Sequence, residues 1–193
     1  MQKSNLIKEY NAQPAVVFEG YKNWVYSPSR KVNINDAHEI SLIEDLDLIF
    51  TEFRFVYGWV GVSSNNVFWN ATKAPLRVIQ IPEPKSKKYL TIINPEITEL
   101  NGTSFKSHEG CGSFPGWDFY VSRKSHVSLK GTLLEKNRIK PIEIEYGLKH
   151  LDNLTKKQAD EIYKSCIVQH EYDHINGITL PHRSIALLEN LIK

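Results

Sequence analysis

The sequence predicts an α+β fold in which mixed or antiparallel β-sheets pack around a central metal-binding helix, with a further helix at the C-terminus. Two segments have apolar residues at helical spacing, and the long stretch between them is rich in β-branched residues with strand-like alternation. The second helical segment carries His170-Glu171-Tyr172-Asp173-His174, with both imidazoles on its inward stripe. At 193 residues the chain suits one domain and is short for two. Residues 1–193 are therefore read as a single domain, with 1–38 forming an N-terminal extension wrapped on its core.

In that extension, Pro14, Pro28 and scattered aromatics predict extended or irregular chain. From about Glu39 to Phe55, Leu42, Leu46, Ile49, Phe50 and Phe53 form one apolar stripe of a first helix. Strands are expected at Arg77–Ile81, Tyr89–Ile93, Ile97–Leu100, Val121–Arg123, His126–Leu129 and Ile142–Tyr146, with alternation in the last implying one wet face. Thr155 and Gln158 form a capping box that starts the second long helix, whose inward stripe reads Ala159, Ile162, Tyr163, Cys166, Ile167, His170, His174. Gly177 is placed to stop it, and a last helix is expected from Arg183 to Lys193.

Composition excludes several classes of function. A net charge of +2 offers no broad field for nucleic acid or an acidic membrane surface, and no apolar run reads as a signal peptide or a membrane span. The expected setting is cytoplasmic. In a reducing compartment, Cys111 and Cys166 are read as free thiols or metal ligands rather than a disulfide.

Histidines four residues apart on a helix share one face and can grip one cation, while Glu171 beside them can take a proton from an activated water. A hydrolytic metal site needs a third protein ligand. The pattern His-Glu-x-x-His-x-x-Gly-x-x-His fails at Leu180, and Glu189 is the one acidic residue after His174. Upstream, Cys111 sits between glycines in the turn-prone Glu109–Gly116 segment, where a thiolate can approach closely. Cys166 is expected in the core. The other histidines, His38, His108, His126, His150 and His182, are expected as surface or capping residues.

Three segments together resemble the peptide deformylases. His170-Glu171-Tyr172-Asp173-His174 matches the family's His-Glu-x-Asp-His helix, and Glu109-Gly110-Cys111-Gly112-Ser113 matches its Glu-Gly-Cys-Leu-Ser segment with glycine in place of leucine. Trp59-Val60-Gly61-Val62-Ser63-Ser64-Asn65-Asn66 resembles its Gly-x-Gly-Leu-Ala-Ala-x-Gln loop, with Asn66 where the family has glutamine. Asn94-Pro95 and Arg123 also fall where the family places them.

The resemblance implies a hydrolase that removes the formyl group from N-formylmethionyl peptides or nascent chains, with transient ribosome contact possible and neither a membrane nor a specific nucleic acid as partner. It implies that Cys111, His170 and His174 hold one divalent metal ion per chain, natively Fe²⁺, with Zn²⁺, Ni²⁺ or Co²⁺ as substitutes. Glu171 would be the general base. Asn66 and the backbone N–H of Gly112 would meet the oxyanion, and Gly61, Val62 and Ile167 would contact substrate. Asp173 and Arg123 would pair structurally behind the metal. Asn66 is one methylene shorter than glutamine, about 1.5 Å of reach, so its loop must lie closer for the donor to act. The alternatives are a catalytically weakened or silent relative that binds formyl peptides, and a generic metallopeptidase with a ligand other than Cys111.

Overall fold

Two long helices lie on opposite faces of one antiparallel sheet, and the alternation of each strand decides which helix its side chains meet. The computed structural model describes residues 6–136, 138–151 and 154–184. In chain order these form α1 (Leu6–Glu9), β1 (Gln13–Pro14), α2 (Lys22–Val25), α3 (Ala37–Tyr57), β2 (Val62–Ser63), β3 (Val67–Phe68) and β4 (Val78–Pro82). β5 (Tyr89–Gly110), β6 (Asp118–Glu135), β7 (Arg138–Gly147), α4 (Lys156–Ile175) and α5 (Leu180–Arg183) follow, with 3₁₀ turns at Val17–Glu19 and Ser64–Asn66.

Asp36 caps α3 by accepting from His38 N and Glu39 N. The helix buries Ile43, Leu46, Ile49, Phe50 and Phe53, while Leu42, expected on the stripe, is only partly buried. The main sheet runs β2-β4-β5-β6-β7, all antiparallel, and β1 pairs with β3. Val78 and Ile93 pack with α3, whereas Ile79, Ile81 and Ile92 pack with Ile167, Val168 and Ile175 of α4. β4 is accordingly buried on both faces, while the wet face expected of the sheet lies on β7 and on β5 from Glu96 onward.

Two pairs of expected strands merge. Tyr89–Ile93 and Ile97–Leu100 are both parts of β5, and Val121–Arg123 and His126–Leu129 are both parts of β6. Register shifts at Ile93/Glu96, Ile97/Glu99 and Asn101/Ser104 reset the two-residue period, so a continuous strand reads as fragments. Asn94 sits at the first irregularity with φ 50°, and its amide clamps both the N–H and the carbonyl of Val32 at 2.9 Å.

The N-terminal segment is not simply extended. It contains α1, α2 and a 3₁₀ turn, because Ala12, Ala15, Trp24 and Val25 are drawn into the α3 core. It also holds the later motifs in place: Ala15 N–H donates to Asn66 O, Val17 N–H to Ser113 O, and Trp24 Nε1 to Ser64 O.

Thr155 and Gln158 form the capping box of α4. Ala159 and Tyr163 are exposed rather than inward, since the helix becomes covered only from Ile162 onward. From there its sides are buried as well, taking in Ser165, Gln169, Glu171 and Asp173. Gly177, at φ 72°, turns the chain: its N–H donates to His174 O, and Ile178 N–H donates to Asp173 O. α5 ends at Arg183 and Ser184 is extended, bridging to Val121, so the last helix does not begin at Arg183 as expected; residues 185–193, Glu189 among them, lie outside the described residues.

Candidate metal centre

β5 carries the chain to Gly110, and Cys111 opens a turn closed by Phe114 N–H donating to Cys111 O at 2.9 Å. That turn meets the buried half of α4. Cys111 Sγ lies 3.2 Å from His174 Nε2, which lies 3.2 Å from His170 Nε2, and all three donors fall within 4.8 Å of one another. Around a tetrahedral cation with bonds of about 2.0–2.3 Å, neighbouring ligand atoms stand roughly 3.3–3.7 Å apart. The donor set therefore fits a divalent metal in both chemistry and spacing.

Behind the donors stands a chain of charged groups. His170 Nδ1 contacts Glu109 Oε2 at 3.0 Å, which leaves Nε2 facing the cluster. Arg123 donates to both oxygens of Glu109, at 2.9 and 2.8 Å, and to Asp173 Oδ2 at 2.6 Å. Arg183 closes the chain by donating to Asp173 Oδ1 at 2.7 Å. Burial works against ionising Glu109, but Arg123 and His170 outweigh it and hold the carboxyl well below its usual range. Burial likewise opposes a charged Cys111, yet His174 and His170 draw its thiol well below the ordinary value. His174 Nδ1 is buried without a hydrogen-bond partner, so the two imidazoles are supported unequally.

Glu171 is buried beside the cluster, and burial pushes its carboxyl upward, with Cys111 adding to the effect and both imidazoles opposing it. Its Oε2 has no hydrogen-bond partner. Gly61 packs against it so closely that a Cβ there would stand 2.8 Å from Glu171 Oε1 and 2.6 Å from Ile167 Cγ2. Asn66 Oδ1 accepts from Ser63 N–H at 3.1 Å, which fixes the amide orientation. Its Nδ2 consequently points to Ser113 Oγ at 3.1 Å and Cys111 Sγ at 3.9 Å, so the shorter side chain brings its donor to the cluster. At Gly112 a Cβ would fall 2.2 Å from Trp59 Cζ2, and the indole occupies the space a side chain would need.

These groups line a cavity of about 370 Å³, with Trp59, Val60 and Ile167 as apolar wall and Asn66, Cys111, His170 and Glu171 at its polar end. The side chain of Val62 is wholly buried in the α3 core and does not line the cavity. Cys166 is buried, its thiol pushed up to about 11 by burial, which suits core packing rather than ligation.

Glu109, Arg183 and Ser113 were missed as participants. Glu109 had a usable signal, since it opens the Glu109-Gly110-Cys111 segment and stands at the end of β5, two residues before the thiol. Arg183 had none, because the Gly177 turn brings it back to Asp173.

A sequence model described as polypeptide deformylase matches residues 19–189. The chain belongs to the peptide deformylase family. A peptide deformylase from Aquifex aeolicus is 31% identical over 160 residues, 81% of this chain and 79% of that protein. Another, from Thermodesulfovibrio yellowstonii, is 34% identical over 112 residues, 57% of its length and 58% of this chain. The crystal structure of peptide deformylase from Thermotoga maritima superposes with a TM-score of 0.65 at 21% identity, covering 91% of this chain and 97% of that one, which is a likeness of fold. Family membership makes this chain a hydrolase of the peptide deformylase kind with a divalent metal requirement.

Proposed function

We propose that this protein removes the formyl group from N-formylmethionyl peptides and nascent chains, releasing formate and a free α-amino group. The observation that carries the reading is the convergence of Cys111 Sγ with both Nε2 atoms beside a buried, unpartnered carboxylate oxygen of Glu171. Cys111, His170 and His174 would hold Fe²⁺, for which Zn²⁺, Ni²⁺ or Co²⁺ can substitute in a mixed sulfur and nitrogen set. When bound, such an ion supplies Lewis acidity and lowers the pKa of water at the site.

Glu171 takes a proton at its carboxylate as water attacks the formyl carbon, and delivers it to the amine nitrogen as the C–N bond breaks. Its raised pKa suits the second half of that exchange. Asn66 Nδ2 and the N–H of Gly112 donate to the oxyanion that forms on the formyl oxygen. Having no side chain, Gly61 lets its backbone lie directly against Glu171 and Ile167 at the place where substrate is held, and Ile167 lines the pocket for the first side chain. Arg123 and Asp173 hold Glu109, and through it His170, in position. A cytoplasmic setting with transient ribosome contact goes with this substrate.

The test is anaerobic purification with Fe²⁺, followed by formate release from a formyl-Met peptide. Glu171→Gln should lower the rate by about 10²- to 10⁴-fold with metal content unchanged. A metal-loaded wild type that yields no formate, or a Glu171→Gln variant as fast as wild type, overturns the proposal.

A further inference from the structure

Three adjacent strands bring a second set of metal-type donors together, on residues the reaction above does not use. Glu99 of β5, His126 of β6 and Glu145 of β7 each place one donor atom within 4.8 Å of the others. Register explains why they meet. Ser128 is the direct partner of both Glu99 and Glu145, and His126 lies two residues from Ser128 on the same face of β6. None of the three lines the catalytic cavity.

His126 is the informative member. It is not the surface residue its sequence context suggests: its side chain is 4% exposed. Its Nδ1 is buried without a hydrogen-bond partner. The carboxylate oxygen Glu99 Oε2 stands 3.9 Å from that nitrogen, too far for a hydrogen bond and close enough to share an ion. Asn101, opposite His126 on β5, donates to Glu99 Oε1 at 2.5 Å and has its own Oδ1 buried without a partner. Buried acceptors left without donors are uncommon in folded proteins. The other groups at Glu99 are Ser128 Oγ, which donates to Oε2 at 3.3 Å, and Lys149 Nζ, 3.5 Å from the same oxygen.

We propose that Glu99, His126 and Glu145 form a second divalent-cation site that ties β5, β6 and β7 together. One imidazole with two carboxylates suits zinc or a neighbouring first-row ion more than calcium or magnesium. Both carboxylates are exposed, so rotation about their own side-chain bonds closes the donors to the roughly 3–4 Å spacing a bound ion requires. The ion displaces Lys149, whose half-exposed ammonium is the competing cation.

The full chain, stripped of metal and reloaded with Zn²⁺, should retain two equivalents after dialysis. His126→Phe should retain one, and Lys149→Ala should bind the second equivalent more tightly than wild type. The double substitution Glu99→Gln/Glu145→Gln changes exposed side chains only and should also retain one, which keeps the test open should His126→Phe not fold. Co²⁺ distinguishes the sites: Cys111→Ser should lose the thiolate-to-metal absorption band while keeping one equivalent, and the double variant should keep the band. A wild type that retains one equivalent, or a folded double variant that retains as much zinc as wild type, overturns the proposal.

Discussion

His170 and Asn66 serve the same cluster and are held there by different physics. His170 is oriented by charged groups in series, Glu109, Arg123, Asp173 and Arg183, of which all but Arg183 are largely buried. Asn66 is oriented by neutral hydrogen bonds from Ser63 and to Ser113, with its turn tied to the N-terminal segment through Ala15. Removing one partner from a buried charged chain strands the others at a cost of about 3–5 kcal/mol. Neutral contacts at the mouth can be exchanged with far smaller penalties. The metal side accordingly matches the deformylase motifs residue for residue, whereas the mouth departs at Trp59, Val62, Ser63, Ser64, Asn66 and Gly112.

Removing one group from each side separates the two. Asn66→Ala should lower kcat by about 10²- to 10³-fold through loss of an oxyanion donor, with metal affinity unchanged. Glu109→Gln should instead weaken metal binding by about 10- to 100-fold, with kcat at saturating metal close to wild type. Chelator competition and formate release measure both. If Asn66→Ala releases metal, or Glu109→Gln slows a fully loaded enzyme as much as Asn66→Ala does, the division between holding and reacting groups is wrong.

A smaller effect probes how the mouth tolerates change. Gly112→Leu drives its new side chain into Trp59 and should destabilise the fold by about 1–3 kcal/mol, the usual cost of overpacking. Trp59→Gly vacates the same space, so the double variant should recover part of that loss. Urea melts of the four proteins give the coupling energy, expected at about 0.5–3 kcal/mol for residues in contact. Additive losses would mean that indole and glycine are not a matched pair.

The same contrast governs what the sequence made legible. The ligand helix was readable because capping, periodicity and the His170/His174 spacing all point the same way. Asp173 and Arg123 were expected to pair, and they do, at 2.6 Å. The fit of Trp59 into the space over Gly112 was not readable, because it joins a loop to a turn through side-chain volume alone. Nor was the length of β5, whose bulges interrupt the alternation. Asn65 gave no signal either, yet its amide donates to Ser27 O at 2.7 Å and accepts from Ser29 Oγ, locking the mouth loop to the N-terminal segment.

That dependence on the N-terminal segment gives the smallest predicted effect. Tyr10 Oη donates to Asp45 Oδ2 at 2.6 Å and packs edge-on against Trp69, pinning the start of the segment to α3. The hydrogen bond to Asp45, followed by burial, pushes the phenol up to about 12 from an ordinary 10. The contribution is therefore fully present below about pH 10 and is lost as pH rises toward 12, because the unfolded chain releases a proton that the folded chain retains. Denaturation midpoints across that window should fall less steeply for Tyr10→Phe than for wild type. Because Ala15 links this segment to Asn66, Tyr10→Phe should also slow formate release slightly, while Zn²⁺ affinity at Cys111, His170 and His174 stays unchanged. A drop in that affinity would show that the charged side leans on the N-terminal segment as well.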